Sequence, residues 1–367
     1  MKITEIHIGQ LSIPLIRPFI TSVRRTECVD DVVIMIKTDR GMVGYGSAAS
    51  TPAITGDSTE SIIQAIQSIL GPQLIGRNIS ELNLLLQMNH QNIEKNTSAK
   101  AAIDIALHDL FAQYCGLPLY QVLGGHKNSI NSCITISVKT NQEMMVDAID
   151  LVKQGHKTIK IKLGLDPMED LERVRAIRQA VGKDITLLVD ANQGWSCDDA
   201  LKIISSFKRY QLDIPMVEQP INGQDLFNLK TIRDQVDCSI IADEACFSPQ
   251  NALDIAKMNA CDGVNIKLMK SGGIANAQAI YHIAKTAGMN IMVGCMLESP
   301  IGITAVASFA ISKPDILYAD LDPLFLIRDN YVLGGAQRSG SKIVLADKPG
   351  MGIEGITQGL KWIGALH

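Results

Sequence analysis

The sequence has no surplus of either charge. It holds 34 Lys and Arg against 38 Asp and Glu, a net charge of −4, with no block of like charges. Neither a nucleic acid nor a membrane surface is favoured as a partner over a small molecule. No apolar run reaches the roughly 20 residues that a membrane span needs, and the opening MKITEIHIGQLSIPLI alternates polar and apolar residues as a strand does. The eight cysteines (28, 115, 133, 197, 238, 246, 261 and 295) include no CxxC pair. They are read as reduced thiols, which makes the cytoplasm the expected compartment. Apolar residues are plentiful: 46% of 367, enough for a large core and a second, smaller domain.

The pattern changes near residue 130. Before it, two alternating apolar runs in DDVVIMIKTDRGMVGYGSA flank Asp39-Arg40-Gly41, a hairpin signal. Helical stretches follow at about 58–70, in the 80s and over 98–114, the last with a Ser start and a Gly stop. This predicts an α+β domain over 1–130. From 131 to 330, short apolar runs recur at 133–138, 158–162, 185–190, 214–218, 239–243, 262–267, 290–295 and 316–320, separated by seven amphipathic stretches. Eight strands and seven helices in strict alternation predict a (β/α)7β barrel of the TIM type. The tail, about 331–367, has short strand signals and is expected to rejoin the first domain.

In such a barrel the site forms at the C-terminal ends of the strands. The last residues of seven runs are Lys162, Asp190, Glu218, Asp243, Lys267, Cys295 and Asp320, spaced by 28, 28, 25, 24, 28 and 25 residues, one β/α unit each. Six of the seven are ionisable, and their positions converge on one small volume. Asp190, Glu218 and Asp243 come from successive strands; three converging carboxylates repel unless a cation sits between them. All-oxygen ligation without His or Cys suits a hard ion, Mg²⁺ first and Mn²⁺ second.

TIKIKLG, 158–164, places Lys160 and Lys162 side by side on a strand that should be buried. Two ammonium groups there are unfavourable unless the site uses them. Lys162 precedes the acidic trio and Lys267 follows it, so on a ring they face each other across the cation. Lys160 can face a carboxylate held by the ion. Neighbouring cations would depress the pKa of Lys162 and keep a neutral amine available as base. The ion would accept charge developing on a substrate carboxylate as its α-proton leaves. Two opposed lysines permit 1,1-proton transfer, whereas one suffices for elimination.

IKIKLG, VDANQGW, VEQP, ADE and NIKLMKSGG together resemble the enolase superfamily in its muconate-lactonising subgroup, and within it the dipeptide epimerases. Enolase-superfamily sites with a Lys or His base and Mg²⁺ are a known pattern. The resemblance implies a capping domain plus the barrel. No His stands at a strand end, which argues against a mandelate-racemase type of base.

DLD at Asp320–Asp322 is the feature most like the epimerases, since two carboxylates on one side suit the free ammonium of a dipeptide. RPFITSVRRTE, 17–27, resembles the capping-domain loop that sets substrate choice. Arg24 falls where L-Ala-D/L-Glu epimerases carry an arginine that reads a side-chain carboxylate, with Arg25 competing for the role. ITGDS, 54–58, resembles a second loop over the site, and Thr135, Cys295, Met296 and Leu297 match positions lining the substrate pocket. Cys295 departs from the serine of close relatives, and no His or Asn partner makes it a nucleophile. The resemblance implies a cytoplasmic, Mg²⁺-dependent isomerase interconverting L-Ala-D-Glu and L-Ala-L-Glu in cell-wall peptide metabolism. A homo-oligomer is compatible with this. Its rivals are a cycloisomerase or o-succinylbenzoate synthase-type lyase, an epimerase for another dipeptide, and a ligand-binding barrel without catalysis.

Overall fold

A computed structural model describes residues 1–21 and 24–367. The chain opens with three antiparallel strands, β1 (Ile3–Ile20), β2 (Arg25–Thr38) and β3 (Val43–Ala49). The helix Thr97–Cys115 lies across them and is buried over most of its surface. Its polar residues are consumed locally. Asp109 Oδ2 accepts the Tyr45 N–H at 2.9 Å and its Oδ1 accepts the Met351 N–H at 2.7 Å, tying sheet, helix and C-terminal tail together. Asp104 does the same toward the barrel, accepting the Ile274 N–H at 2.7 Å.

After the short β4 (Ser129–Asn131), eight parallel strands follow: β5 (Ile134–Ile136), β6 (Thr158–Lys162), β7 (Thr186–Asp190), β8 (Met216–Glu218), β9 (Ser239–Ala242), β10 (Gly263–Lys267), β11 (Asn290–Gly294) and β12 (Ile316–Asp320). They pair strictly in sequence order. The ring closes where the Cys133 N–H donates to the Ala319 carbonyl at 2.8 Å and the Leu321 N–H donates to Ser132 Oγ at 2.9 Å. The connecting helices begin on caps legible in the sequence: Thr140 with Glu143, Asp166, Ser196, Asp225 and Ser248 with Asn251.

Inside the ring, strand alternation stacks side chains in layers. Leu188, Met216 and Met292, each two residues before the end of its strand, form a buried apolar layer with Ile241 and Cys133. Lys160 and Asn265 occupy the same level on β6 and β10 and are fully buried. The tail adds β13 (Val332–Gly334), β14 (Gln337–Ser339), β15 (Lys342–Val344), β16 (Ile353–Ile356) and β17 (Leu360–Leu366). β17 pairs with β1, whereas β15 pairs with β4. Among the described residues no helix is long and apolar enough to cross a membrane.

Candidate active site

The acidic residues at the ends of β7 and β8 and just beyond β9 meet. Asp190, Glu218 and Asp243 are all buried and offer ligand oxygens within 4.8 Å of one another. Their positions are braced by neighbours from the same motifs. Gln219 Oε1 accepts the Asp243 and Ala245 N–H groups at 2.9 and 3.0 Å, while its amide donates to the Ile221 carbonyl at 2.9 Å. Asn192, held at φ +42°, donates its N–H to Asp190 Oδ1 at 2.9 Å. Gly164 and Gly194 make the two loops touch: a Cβ on Gly194 would stand 2.2 Å from the Gly164 carbonyl oxygen.

Four lysines face this acid. Lys160 Nζ is fully buried and lies 2.9 Å from Asp190 Oδ2, 2.7 Å from Glu218 Oε2 and 2.7 Å from Asp320 Oδ2. Lys162 Nζ donates to Asp190 Oδ2 and Lys267 Nζ to Asp243 Oδ2, each at 2.6 Å. Lys270 donates to Asp243 Oδ1 at 2.6 Å and to the Asn265 carbonyl at 3.0 Å. β6 and β10 lie four places apart in a ring of eight, so Lys162 and Lys267 approach from opposite arcs with the carboxylates between them.

Burial opposes ionisation of Asp190, but Lys160 and Lys162 hold it well below the usual carboxylate range. Burial likewise opposes the charge on Asp243, which Lys267 and Lys270 hold low. Glu218 goes the other way: burial and the Asp190 charge push it up to about 8. A group of carboxylates in which one is forced to keep its proton is what a missing positive charge produces. The donor set therefore fits a hard divalent cation. Lys267 is disfavoured by burial, yet Asp243 and Glu218 raise its pKa above the ordinary lysine value.

Above the carboxylates is a small cavity of about 40 Å³. It is lined by both lysines, Lys162 and Lys267, and by Arg24, Thr135, Cys295, Met296, Leu297, Asp320 and Asp322. Of the sequence-predicted set, Asp190, Glu218 and Asp243 stand outside the cavity lining, paired with its lysines, and Lys160 also stands outside it. Its ammonium is enclosed by Asp190, Glu218 and Asp320 and does not line the cavity wall. Asp322 reaches the cavity from a turn, with φ −79° and ψ −10° before Pro323, rather than by strand alternation. The two aspartates are already engaged: Asp320 with Lys160, and Asp322 Oδ2 with the Thr135 N–H at 2.8 Å. Burial and the Asp320 charge push Asp322 up to about 6.

Arg24 is the arginine that faces inward, and burial lowers its pKa. Arg25 points outward, its side chain 59% exposed and 3.3 Å from Glu27. Of the stretch 17–27, Ser22 and Val23 lie outside the described residues. Burial raises the thiol pKa of Cys295 well above its ordinary value, which keeps it neutral. Phe19, Thr21, Arg24 and Ile54, all from the N-terminal part of the chain, line the same cavity.

Sequence reasoning missed several residues that build the site. Asn265 donates to Glu218 Oε1 at 2.8 Å and was findable, being two residues before Lys267 as Lys160 is before Lys162. Lys270 and Gln219 stood inside quoted motifs, but their targets come from other strands. Phe19, Thr21, Ile54 and Asn192 complete the cavity lining.

Comparison with known proteins matches two family models. "Mandelate racemase / muconate lactonizing enzyme, N-terminal domain" covers residues 3–124, and "Enolase C-terminal domain-like" covers 143–357. The L-Ala-D/L-Glu epimerase of Clostridium acetobutylicum is 47% identical over 97% of this chain and 99% of its own length. A substrate-liganded L-Ala-D/L-Glu epimerase structure from Bacillus subtilis superimposes with a TM-score of 0.96 at 41% identity, covering 98% of this chain and 100% of that one. A dipeptide epimerase from Enterococcus faecalis, complexed with Mg and L-Leu-L-Tyr, gives 0.93 at 39% identity, covering 97% and 100%.

Proposed function

The chain belongs to the enolase superfamily, as a mandelate racemase / muconate lactonizing type protein, and from that premise we propose that it is an epimerase for L-Ala-D-Glu and L-Ala-L-Glu. The observation that carries the reading is the pair Lys162 and Lys267, which line one cavity from opposite arcs while each bonds a member of the buried carboxylate trio. The relatives named for this dipeptide support the substrate. Residues 1–130 with the tail of about 331–367 form the capping unit in this reading, and 131–330 form the barrel.

Asp190, Glu218 and Asp243 would hold Mg²⁺, which supplies positive charge to offset what develops on the substrate carboxylate when the α-proton leaves. Lys162 and Lys267 act on opposite faces of the Glu α-carbon. One takes the proton as a neutral amine and the other, as an ammonium, returns one to the far face, inverting the centre. Lys160 keeps Asp190, Glu218 and Asp320 close together despite their like charges. Asp320 and Asp322 bind the dipeptide ammonium beside Thr135, and Arg24 binds the Glu side-chain carboxylate with a guanidinium fork. Met296, Leu297 and the neutral Cys295 line the path between. In this reading the activity belongs to the metabolism of cell-wall peptides.

Incubation of each epimer with the Mg²⁺-loaded protein in D₂O tests this. Deuterium at the Glu α-carbon and appearance of the other epimer are expected; neither with either epimer would refute the assignment. Lys267→Ala should abolish epimerisation and leave at most exchange by Lys162 on one epimer, with Lys162→Ala showing the converse.

A further inference from the structure

Outside the cavity, a second carboxyl pair is buried where the N-terminal sheet meets the segment after β11. Asp31 on β2 and Glu298 are each 1% exposed. Glu298 Oε1 accepts the Met296 N–H at 2.8 Å, and Asp31 Oδ2 accepts the Ser299 N–H at 2.8 Å. Their other oxygens, with the hydroxyls of Ser47 and Ser299, have no partner within hydrogen-bond distance among the described residues. Of these atoms, Glu298 Oε2 and Ser47 Oγ meet beside Gly302. A Cβ there would stand 2.5 Å from Glu298 Oε2 and 3.0 Å from Ser47 Oγ, so glycine leaves the carboxyl room where it stands.

No ammonium or guanidinium forms an ion pair with either carboxyl among the described residues. The charged or titratable groups acting on them are Asp30 beside Asp31, and Lys267 and the Cys295 thiol beside Glu298. Lys267 is committed to Asp243 at 2.6 Å. Two neighbouring carboxylates in a medium of low polarity cannot both stay ionised without a cation, and a retained proton turns their repulsion into donation.

We propose that Glu298 and Asp31 hold a single proton between them at neutral pH and act as a positioning pair, tying the Cys295–Leu297 wall of the cavity to the N-terminal sheet. Glu298 is the acid of the two. Burial and the Asp31 charge push it up to about 8, whereas burial takes Asp31 only to about 6 because the Ser299 amide bonds its carboxylate. The acid holds the Met296 amide with one oxygen and offers its O–H toward Ser47 and Asp31 with the other. Asp31 in turn holds the amide of Ser299, which caps the helix Pro300–Ile311. Loss of the proton places two unpaired charges behind the wall that substrate touches. The bearing of this on turnover rests on the epimerase reading; the shared proton does not.

The test compares the wild type with Glu298→Gln and Asp31→Asn, all Mg²⁺-loaded and full length, from pH 6 to 9.5. Gln keeps an oxygen for Met296 and supplies a donor without titrating. The wild-type thermal midpoint should fall as pH rises from 6 toward about 8 and level off above it, because the proton is bound more tightly in the folded chain than in the unfolded one. Glu298→Gln should be flat over that range. Asp31→Asn should move the fall about one pH unit lower by removing a neighbouring charge. The infrared difference between wild type and Glu298→Gln should show a protonated carboxyl band at pH 7 that disappears by pH 9.5. KM for the dipeptide should climb above pH 8 in the wild type and not in Glu298→Gln, with kcat moving less. Absence of the band at pH 7, or an unchanged midpoint profile in both variants, overturns the proposal. Midpoint and band need no substrate, so a protein that epimerises nothing would sink the substrate reading and leave these two results to decide the pair.

Discussion

Loading a divalent cation onto Asp190, Glu218 and Asp243 should expel a proton. With protein groups alone around it, Glu218 is pushed up to about 8 by burial and by Asp190, and a cation needs it ionised. At pH 7 a group of that pKa is protonated in about nine molecules of ten, from 1/(1 + 10^(7 − 8)), so Mg²⁺ should release about 0.9 proton at pH 7 and about 0.1 at pH 9. The ionised fraction rises from about 0.01 at pH 6 to about 0.5 at pH 8. Apparent affinity should therefore gain about fiftyfold, or about 2.3 kcal/mol, and then level off. Titration calorimetry with MgCl₂ in buffers of different ionisation enthalpy reads the proton count directly. Glu244 stands at about 7 beside Asp243 and can add up to about half a proton at pH 7, so Glu244→Gln is the control that should keep most of the release. Fewer than about 0.2 proton at pH 7, together with an affinity flat from pH 6 to 8, would refute the reasoning.

Three further outcomes are expected. Arg24→Met should cut kcat/KM for L-Ala-D-Glu by about a hundredfold, the value of a lost charge-assisted fork at about 3 kcal/mol. Arg25→Met, at an exposed position paired with Glu27, should stay within about threefold, and equal losses in a kinetic comparison would remove Arg24 from its role. Asp104 is fully buried and, although burial opposes its charge, His108 and His90 hold it at about 2 against 3.8. Its stabilisation, about 2 kcal/mol, is present above pH 4 and is lost as pH falls through about 2. Asp104→Asn should lower the thermal midpoint at pH 7, and an unchanged midpoint would contradict the ion-pair account. Lys160→Met leaves Asp190, Glu218 and Asp320 without their shared ammonium and should cost about 3 kcal/mol or more in the presence of a chelator. Mg²⁺ should restore part of that in denaturant melts, and no recovery would mean the ion does not lie among these carboxylates.

The barrel was legible because its signal is local and repeated. A buried parallel strand is a short apolar run, a surface helix is an amphipathic one, and the two alternate from residue 134 to residue 320. The strand-end rule then turned a one-dimensional spacing into a ring, and Lys162, Asp190, Glu218, Asp243, Lys267 and Asp320 meet as that ring requires. Lys160 shows the limit. Alternation put it on the inner side of β6, but its depth one layer down, where Asp190, Glu218 and Asp320 enclose it, depends on three other strands. The same holds for the Asp320–Asp322 pair, which a turn before Pro323 brings together.

The order of charges around the rim, and hence which amine faces which, was set by the sequence, because strand order in the ring repeats chain order and side chains alternate along each strand. Folding alone decided what binds to what across large separations. Gln219 braces Asp243, Lys270 holds its carboxylate, and Asp31 meets Ser299 across 268 residues. No periodicity encodes such partners, since each depends on two surfaces packing at one angle and depth. The burial that pushes Glu218 and Glu298 up to about 8 likewise exists only once those surfaces have closed.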